Sequence, residues 1–247
     1  MNNKSTMKKK INILVILLAL MSTASMAQYR NSNIDSDEES SSYLKIGTQI
    51  PFQHSIIYDH RITPAFSINA GLGFITAPYT GLFFSSLEGK ESISSSDRDV
   101  LDRSYQFGLS YQLGANVHFE KNYVRLFGQL AHLNGDLAVT DLANLYLQTN
   151  IPPIAGFLNP IDIRSNIPMI GLLFGRKFPI GVNSEIHLEA SLSKTLGHNT
   201  TYKTNTFIDN LGFVNDLIYS ELDNDLDSYF RNRGWIPSVN VYYVFKL

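Results

Sequence analysis

In the stretch YQFGLSYQLGANVHF, Tyr105 to Phe119, an apolar residue stands at every odd position, while Gln, Gly, Ser, Gln, Gly, Asn and His fill the even ones. Strand side chains alternate between two faces, whereas at 100° per residue a helix would spread these odd positions around its whole circumference. Fifteen residues of period two therefore specify a long strand with one apolar and one polar face. The pattern returns in Phe66, Ile68, Ala70, Leu72 and Phe74 against Ser67, Asn69, Gly71 and Gly73. It returns again in Ile186, Leu188, Ala190 and Leu192 against Glu185, His187, Glu189 and Ser191, and in Val239, Val241, Tyr243, Phe245 and Leu247 at the C-terminus.

The polar faces decide which environment the apolar ones meet. In a soluble sandwich the outer face is rich in Lys, Glu and Thr, and strands average about 5 to 6 residues. Here the strands are longer, and the polar face carries Gly, Ser, Asn, Gln and isolated charges, groups small enough to pack and hydrogen-bond within a narrow lumen. A transmembrane barrel inverts the soluble order, apolar side out toward lipid, with strands of about 9 to 11 residues across the bilayer.

The N-terminus agrees. Lys8, Lys9 and Lys10 precede an apolar run from Ile11 to about Met21, and Ser25 and Ala27 sit as the small residues of a cleavage site. The run is about half the ~20 residues that a membrane anchor requires, so residues 1–27 read as a secretory signal peptide cleaved after Ala27. Residues 28–42, including NSNIDSDEESSS, carry too little apolar surface to fold and are expected to form a disordered polar lead-in. Residues 43–247 then form the barrel. With 20 Lys+Arg against 22 Asp+Glu there is no charge excess to attract nucleic acid, and the absence of cysteine excludes disulfides, thiolate metal sites and lipidated cysteine.

Strands are predicted at 43–50, 53–62, 65–75, 104–119, 122–133, 167–178, 183–196 and 234–247, an even count of eight. The connections at Thr63, at Glu120 to Asn122 and at Pro179 to Asn183 are short, while those near 76–103, 134–166 and 197–233 are long. Short periplasmic turns and long outer loops are the habit of outer-membrane barrels. The tight connection at Pro51 to Gln53 is the one short outer turn. An unpaired strand edge in hydrocarbon costs several kcal/mol per backbone group, so Leu44 to Ile50 should pair with Val239 to Phe245. Aromatics at strand ends would form interfacial girdles: Phe119, Tyr123, Phe178, Tyr243 and Phe245 at the periplasmic side, Phe74, Tyr105 and Trp235 at the outer side.

The leader, the segment IGTQIPFQHSIIYDHRI running into FSINAGLGF, and the terminal strand VNVYYVFKL together resemble the small eight-stranded outer-membrane β-barrel proteins of Gram-negative bacteria, OmpW/OmpX-like in the broad sense. The resemblance spans about Ser42 to Leu247. It implies an all-β, eight-stranded antiparallel transmembrane barrel in the outer membrane, with long, partly helical extracellular loops. It also implies outer-membrane lipid and the barrel-insertion machinery as partners, the latter reading the terminal strand. Here that strand ends in Leu247, with its aromatic, Phe245, two residues earlier. Architecture of this kind does not specify function.

Eight strands enclose an interior that side chains fill. The predicted lumen network comprises Asp59, Arg61, Gln112, Asn116, Arg125, Arg176, Glu185, His187, Glu189 and Lys246, with Asn69, His118, Gln129 and Asn240 nearby; opposite charges would pair, since unpaired burial is expensive. A barrel acyl hydrolase is a remote alternative. EIHLEASLS offers Glu185, His187, Ser191 and Ser193 on one face, but at ~3.3 Å per residue His187 and Ser191 are about 13 Å apart, beyond hydrogen-bond reach. DNDLDS, Asp223 to Ser228, resembles the start of a calcium loop but has Ser228 where Gly is required and Gly234 where Glu is required, so no metal or other cofactor is expected.

The long loops are unexpectedly apolar. LAVTDLANLYLQTNIPPIAGFLNPIDI and FIDNLGFVNDLIYSELDNDLDSYF present Leu145, Tyr146, Phe157, Phe213, Leu217 and Tyr229, the last three at roughly helical spacing. They would either pack as a lid over the barrel mouth or dock a protein partner. The sequence thus supports a non-enzymatic outer-membrane barrel acting as a structural or interaction protein through its loops. The alternative is an OmpW-like conduit or binder for small apolar molecules, suggested by those loops and by wall residues Gly71, Gly73, Gly108 and Gly114.

Overall fold

The computed structural model describes residues 41–82, 103–138, 161–203 and 234–247. The leader, the lead-in up to residue 40, and the loop residues Leu145, Tyr146, Phe157, Phe213, Leu217, Tyr229 and Asp223 to Ser228 lie outside them.

Among the described residues nine strands follow one another: β1 (Ser42–Ile50), β2 (Gln53–Thr63), β3 (Phe66–Thr76), β4 (Tyr105–Phe119), β5 (Asn122–Leu137), β6 (Ile161–Pro179), β7 (Ser184–Thr195), β8 (Asn199–Lys203) and β9 (Trp235–Lys246). All pairs are antiparallel, and the ladder closes: β1 pairs with β9 from Tyr43–Lys246 to Ile50–Val239, and β5 pairs with β6. β8 continues the line of β7 along β6, whose residues Met169 to Pro179 face β7 and Asp162 to Asn166 face β8. The barrel thus has eight staves.

Register sets the barrel's shape. Successive Cα partners run Leu44, Tyr58, Ala70, Leu113, Gly128, Ile170, Lys194 and Trp235. Val239 faces Ile50, and Trp235 lies four residues before Val239, so the path returns to β1 at position 54, ten residues above Leu44. Eight staves with a shear of ten imply a strand tilt of about 41° and a backbone radius of about 8 Å. On β4 the outward row from Phe107 to Phe119 then covers about 30 Å along the axis, the thickness of a bilayer's hydrocarbon core.

Exposure follows the sequence alternation. Ile56, Ile68, Leu72, Leu113, Leu126, Leu172, Phe174, Leu188, Val239 and Val241 are all exposed on the outside. Between them the inward rows bury Lys45, Gln49, Asp59, Asn69, Gln112, Asn116, Arg125, Glu189 and Asn240. Only a solvent of low polarity suits such an exterior, and only a closed ladder suits such a solvent. This is the architecture of a small outer-membrane β-barrel: both chain ends of the barrel and the tight β2–β3, β4–β5 and β6–β7 turns lie at one rim, here the periplasmic one by the usual orientation.

The structure corrects several expectations. β5 and β6 extend to Leu137 and back from Ile161, forming with β8 a three-stranded extension where long loops were expected. The helical spacing read at Phe213, Leu217 and Tyr229 lies outside the described residues, within which helix occurs at 79–82 and 103–104. Tyr105 does not join the outer girdle. A register shift between Tyr105 and Phe107 turns its ring inward, where its hydroxyl meets Ser165 at 2.5 Å. Tyr123 is inward as well and fully buried, while Phe74, Phe119, Phe178, Trp235, Tyr243 and Phe245 do face outward.

Leu113 stands at mid-height on the outer face and is 68% exposed. Leu113→Arg is expected to destabilise the barrel by about 2–4 kcal/mol, read from reversible denaturant unfolding in lipid vesicles. An unchanged midpoint would place Leu113 away from hydrocarbon.

Candidate functional site

The inward side chains sort into three layers along the tilted staves. At the periplasmic end are the charges: Lys45 on β1, Asp59 and Arg61 on β2, Arg125 on β5, Lys177 on β6, and Glu185 and Glu189 on β7. At mid-height are amides and hydroxyls, Gln49, Gln53, Ser55, Ser110, Gln112, Ser191, Ser238 and Asn240. Toward the outer mouth apolar side chains predominate, with Ile75, Ala131, Leu133, Ile167, Met169 and Ile236 buried there beside the hydroxyls of Ser165, Ser193 and Thr195.

Four charges from four staves meet at the centre of the lower layer. Lys45 Nζ is 2.9 Å from Asp59 Oδ2 and 3.9 Å from Glu189 Oε1, and Arg125 Nη2 is 3.3 Å from the same Glu189 oxygen. Burial of such groups is tolerable only with further hydrogen bonds, and these are present. Arg125 Nε donates to Asn116 Oδ1 at 2.7 Å, and Asn116 Nδ2 donates to Asp59 Oδ2 at 2.9 Å and to Ser67 Oγ at 2.7 Å. Asn240 Nδ2 donates to Glu189 Oε2 at 3.0 Å, and the Tyr123 hydroxyl donates to Glu189 Oε1.

From this cluster a continuous chain of side-chain hydrogen bonds climbs the lumen. Glu185 pairs with His187 at 2.6 Å, and His187 Nδ1 meets the Tyr123 hydroxyl at 3.1 Å, which leads to Glu189 and Asn240. Ser238 donates to Asn240 Oδ1 at 3.2 Å and accepts from Gln49 Nε2 at 3.2 Å. Gln53 Nε2 donates to Gln49 Oε1 at 3.1 Å, and Ser110 donates to Gln53 Oε1. The amides in this chain have fixed donor and acceptor ends, so it fills and orders the lumen without offering a path for protons.

Glycines permit that filling. Gly175 on β6 faces Tyr123 across the ladder, and Gly171 faces Phe127; a Cβ on either would collide with the opposing ring. The wall glycines read from sequence as a conduit lining are covered in the same way, Gly73 by Gln53 and Ser110, Gly108 by Leu133, and Gly71 by Ile57.

The structure brings together Asp59, Asn116, Arg125, Glu185, His187 and Glu189, and buries Gln112 in the amide layer. Arg61 is half-buried at the periplasmic rim with its guanidinium 5.3 Å from the Tyr43 ring. Two residues fall elsewhere. Arg176 points outward, over the Phe178 ring at 5.7 Å, because the inward row of β6 is the odd one, and Lys177 takes the place given to it. Lys246 is exposed at the strand's last position.

Sequence reasoning passed over Lys45, Tyr123, Lys177 and Tyr242. Lys45 had a signal: with Leu44 and Ile46 outward, its position in SYLKIGTQI is inward by alternation alone. Tyr242 is buried with its hydroxyl 2.9 Å from Ser55 Oγ.

The hydrolase alternative gains no geometry here. His187 faces Tyr123 and Glu185, while Ser191 bonds Ser238 and Ser193 donates to the Ile236 carbonyl at 3.3 Å. A different pair does form, Ser67 Oγ with His118 Nε2 at 2.8 Å. Ser67 is fully buried, and His118 Nδ1 has no hydrogen-bond partner among the described residues, so the acid that would orient the base is lacking.

Among solved structures, the chain is similar to a major outer membrane protein from Thermus thermophilus, at 10% identity over 85% of this chain and 100% of that one, with a TM-score of 0.49. It is also similar to CarO from Acinetobacter baumannii, at 10% identity over 84% and 97% respectively, with a TM-score of 0.37. No protein-family model matches the sequence, and no curated protein matches it.

Breaking a buried pair from one side leaves an uncompensated charge. Glu189→Gln is expected to cost about 3–5 kcal/mol, and adding Arg125→Met to it is expected to cost less than Arg125→Met alone. Unfolding free energies of the two single variants and the double variant check this; additive losses would mean that the pair is not coupled.

Proposed function

We propose that this chain is a non-enzymatic outer-membrane barrel whose staves serve as an anchor and whose outer side meets a partner. The proposal includes export by the leader, cleavage after Ala27, and insertion into the outer membrane of a Gram-negative cell by the barrel-insertion machinery. The carrying observation is the unbroken run of packed and hydrogen-bonded side chains from Glu185 to Ser110, which fills the barrel through its lower two layers. A barrel so filled does its work at its surfaces, and the β5–β6–β8 extension stands at the outer one; the apolar segments around Leu145, Tyr146, Phe157, Phe213, Leu217 and Tyr229, which follow β5 and β8 in the sequence, are read from their composition as a protein-docking surface.

One observation favours a second reading. The outer third of the lumen buries Ile75, Leu133, Ile167, Met169 and Ile236 beside the hydroxyls of Ser165, Ser193 and Thr195, a largely apolar lining with a few polar groups, suited to a small, mostly apolar molecule entering from outside, as the OmpW-like resemblance implies. Conductance separates the two. Refolded protein in planar bilayers is expected to stay silent with loops intact and with loops shortened. Stable openings in either form would overturn the anchor reading and favour the conduit.

A further inference from the structure

Along the outward row of β6 the chemistry changes twice. Asp162, Arg164 and Asn166 stand at the outer end, Pro168, Ile170, Leu172 and Phe174 follow, and Arg176 and Phe178 stand at the periplasmic end. At a strand tilt of about 41°, the row from Asn166 to Arg176 covers about 25 Å along the barrel axis, the height of the apolar band of outer-membrane barrels. Arg176 therefore lies at the lower edge of the hydrocarbon, level with the lipid headgroups. Phe119, Phe178, Tyr243 and Phe245, exposed on the outside, mark the same level around the barrel.

The two outward arginines of β6 differ in their partners. Arg164 pairs with Asp162 at 3.1 Å, whereas Arg176 is exposed and pairs with no carboxylate among the described residues. Its guanidinium lies 5.7 Å from the centre of the Phe178 ring, two residues nearer the periplasm, so the side chain runs down the wall and away from the hydrocarbon core. Asn122 on β5 is directly across and brings an amide N–H donor to the same face. The adjoining β4–β5 turn carries Glu120 and Lys121, one charge of each sign, which leaves the guanidinium as the surplus charge of this patch.

We propose that Arg176, with Asn122 beside it, binds the phosphate of a phospholipid in the periplasmic leaflet. The phosphodiester is the anion that a bilayer presents at this depth, and charge complementarity selects it. A guanidinium meets two phosphate oxygens at once through its planar fork, while the Phe178 ring supports the cation. The acyl chains of the same lipid lie along Phe174 and Leu188, both exposed on the wall above; Leu188 is the residue directly across from Arg176 on β7. Headgroup and chains are thus met by one patch.

The test is native mass spectrometry of the refolded mature chain, released from a non-ionic detergent after titration with lipid. Dioleoyl phosphatidylglycerol and dioleoyl phosphatidylethanolamine are the probes, and dioleoylglycerol is the probe without phosphate. Saturable retention of the phospholipids over dioleoylglycerol, weakened about fivefold or more by Arg176→Met and unchanged by Arg164→Met, supports the site. Equal retention of all three lipids, retention indifferent to Arg176→Met, or an equal loss in Arg164→Met overturns it. Folding of each variant is verified by the heat-dependent gel shift of a closed barrel, and Arg176→Gln serves as the second variant should Arg176→Met fail to fold.

Discussion

Hydrocarbon offers no hydrogen bonds, and the fold follows from that one lack. A strand edge left open to lipid would strand a row of amide and carbonyl groups at several kcal/mol each, so the first strand has to find the last. Here it does so over the whole of β1, from Tyr43–Lys246 to Ile50–Val239. Closure with both barrel ends at one rim requires an even number of staves. Once the strands are eight and the shear is ten, tilt and radius are no longer free.

A radius of about 8 Å leaves an interior that side chains must fill, and the inward row of each stave becomes a packing problem. The chain solves it in layers. Glycines on β6 make room for Tyr123 and Phe127 from β5, amides and hydroxyls occupy mid-height where an ion would be farthest from water, and charges gather near the periplasmic mouth. There Glu189 acts as the hub, accepting from Tyr123 and Asn240 and pairing with Arg125 and Lys45, so that β1, β5, β7 and β9 are joined through one carboxylate. A hub of this kind fixes which staves lie opposite one another, beyond what ladder hydrogen bonds between neighbours specify.

Much of this was legible residue by residue, and the failures share a cause. On β3, β4 and β7 one face is apolar and the other polar, so direction could be read for each side chain. On β6 both faces are apolar, with Ile167, Met169 and Leu173 inside and Ile170, Leu172 and Phe174 outside; nothing in IPMIGLLFGRKFP says whether Arg176 or Lys177 looks inward. Pairing to β5, where Asn122 faces Arg176, settles the parity. Tyr105 was misread for a related reason, because a single shift of register at the strand's start turns a side chain to the other face. β8 escaped notice because five polar residues, NTTYK, form a strand only where β6 extends far enough to receive them.

The sequence alone determined the period of two, the sign of each clearly alternating face, the tight turns and the need for closure, because these depend on a residue's own chemistry and its near neighbours. Tertiary structure decided the parity of β6, the length of the β5–β6–β8 extension, and which charge meets which. Those depend on register accumulated around the barrel and on distances across the lumen, between residues as far apart in the chain as Lys45 and Glu189, and no local pattern encodes them.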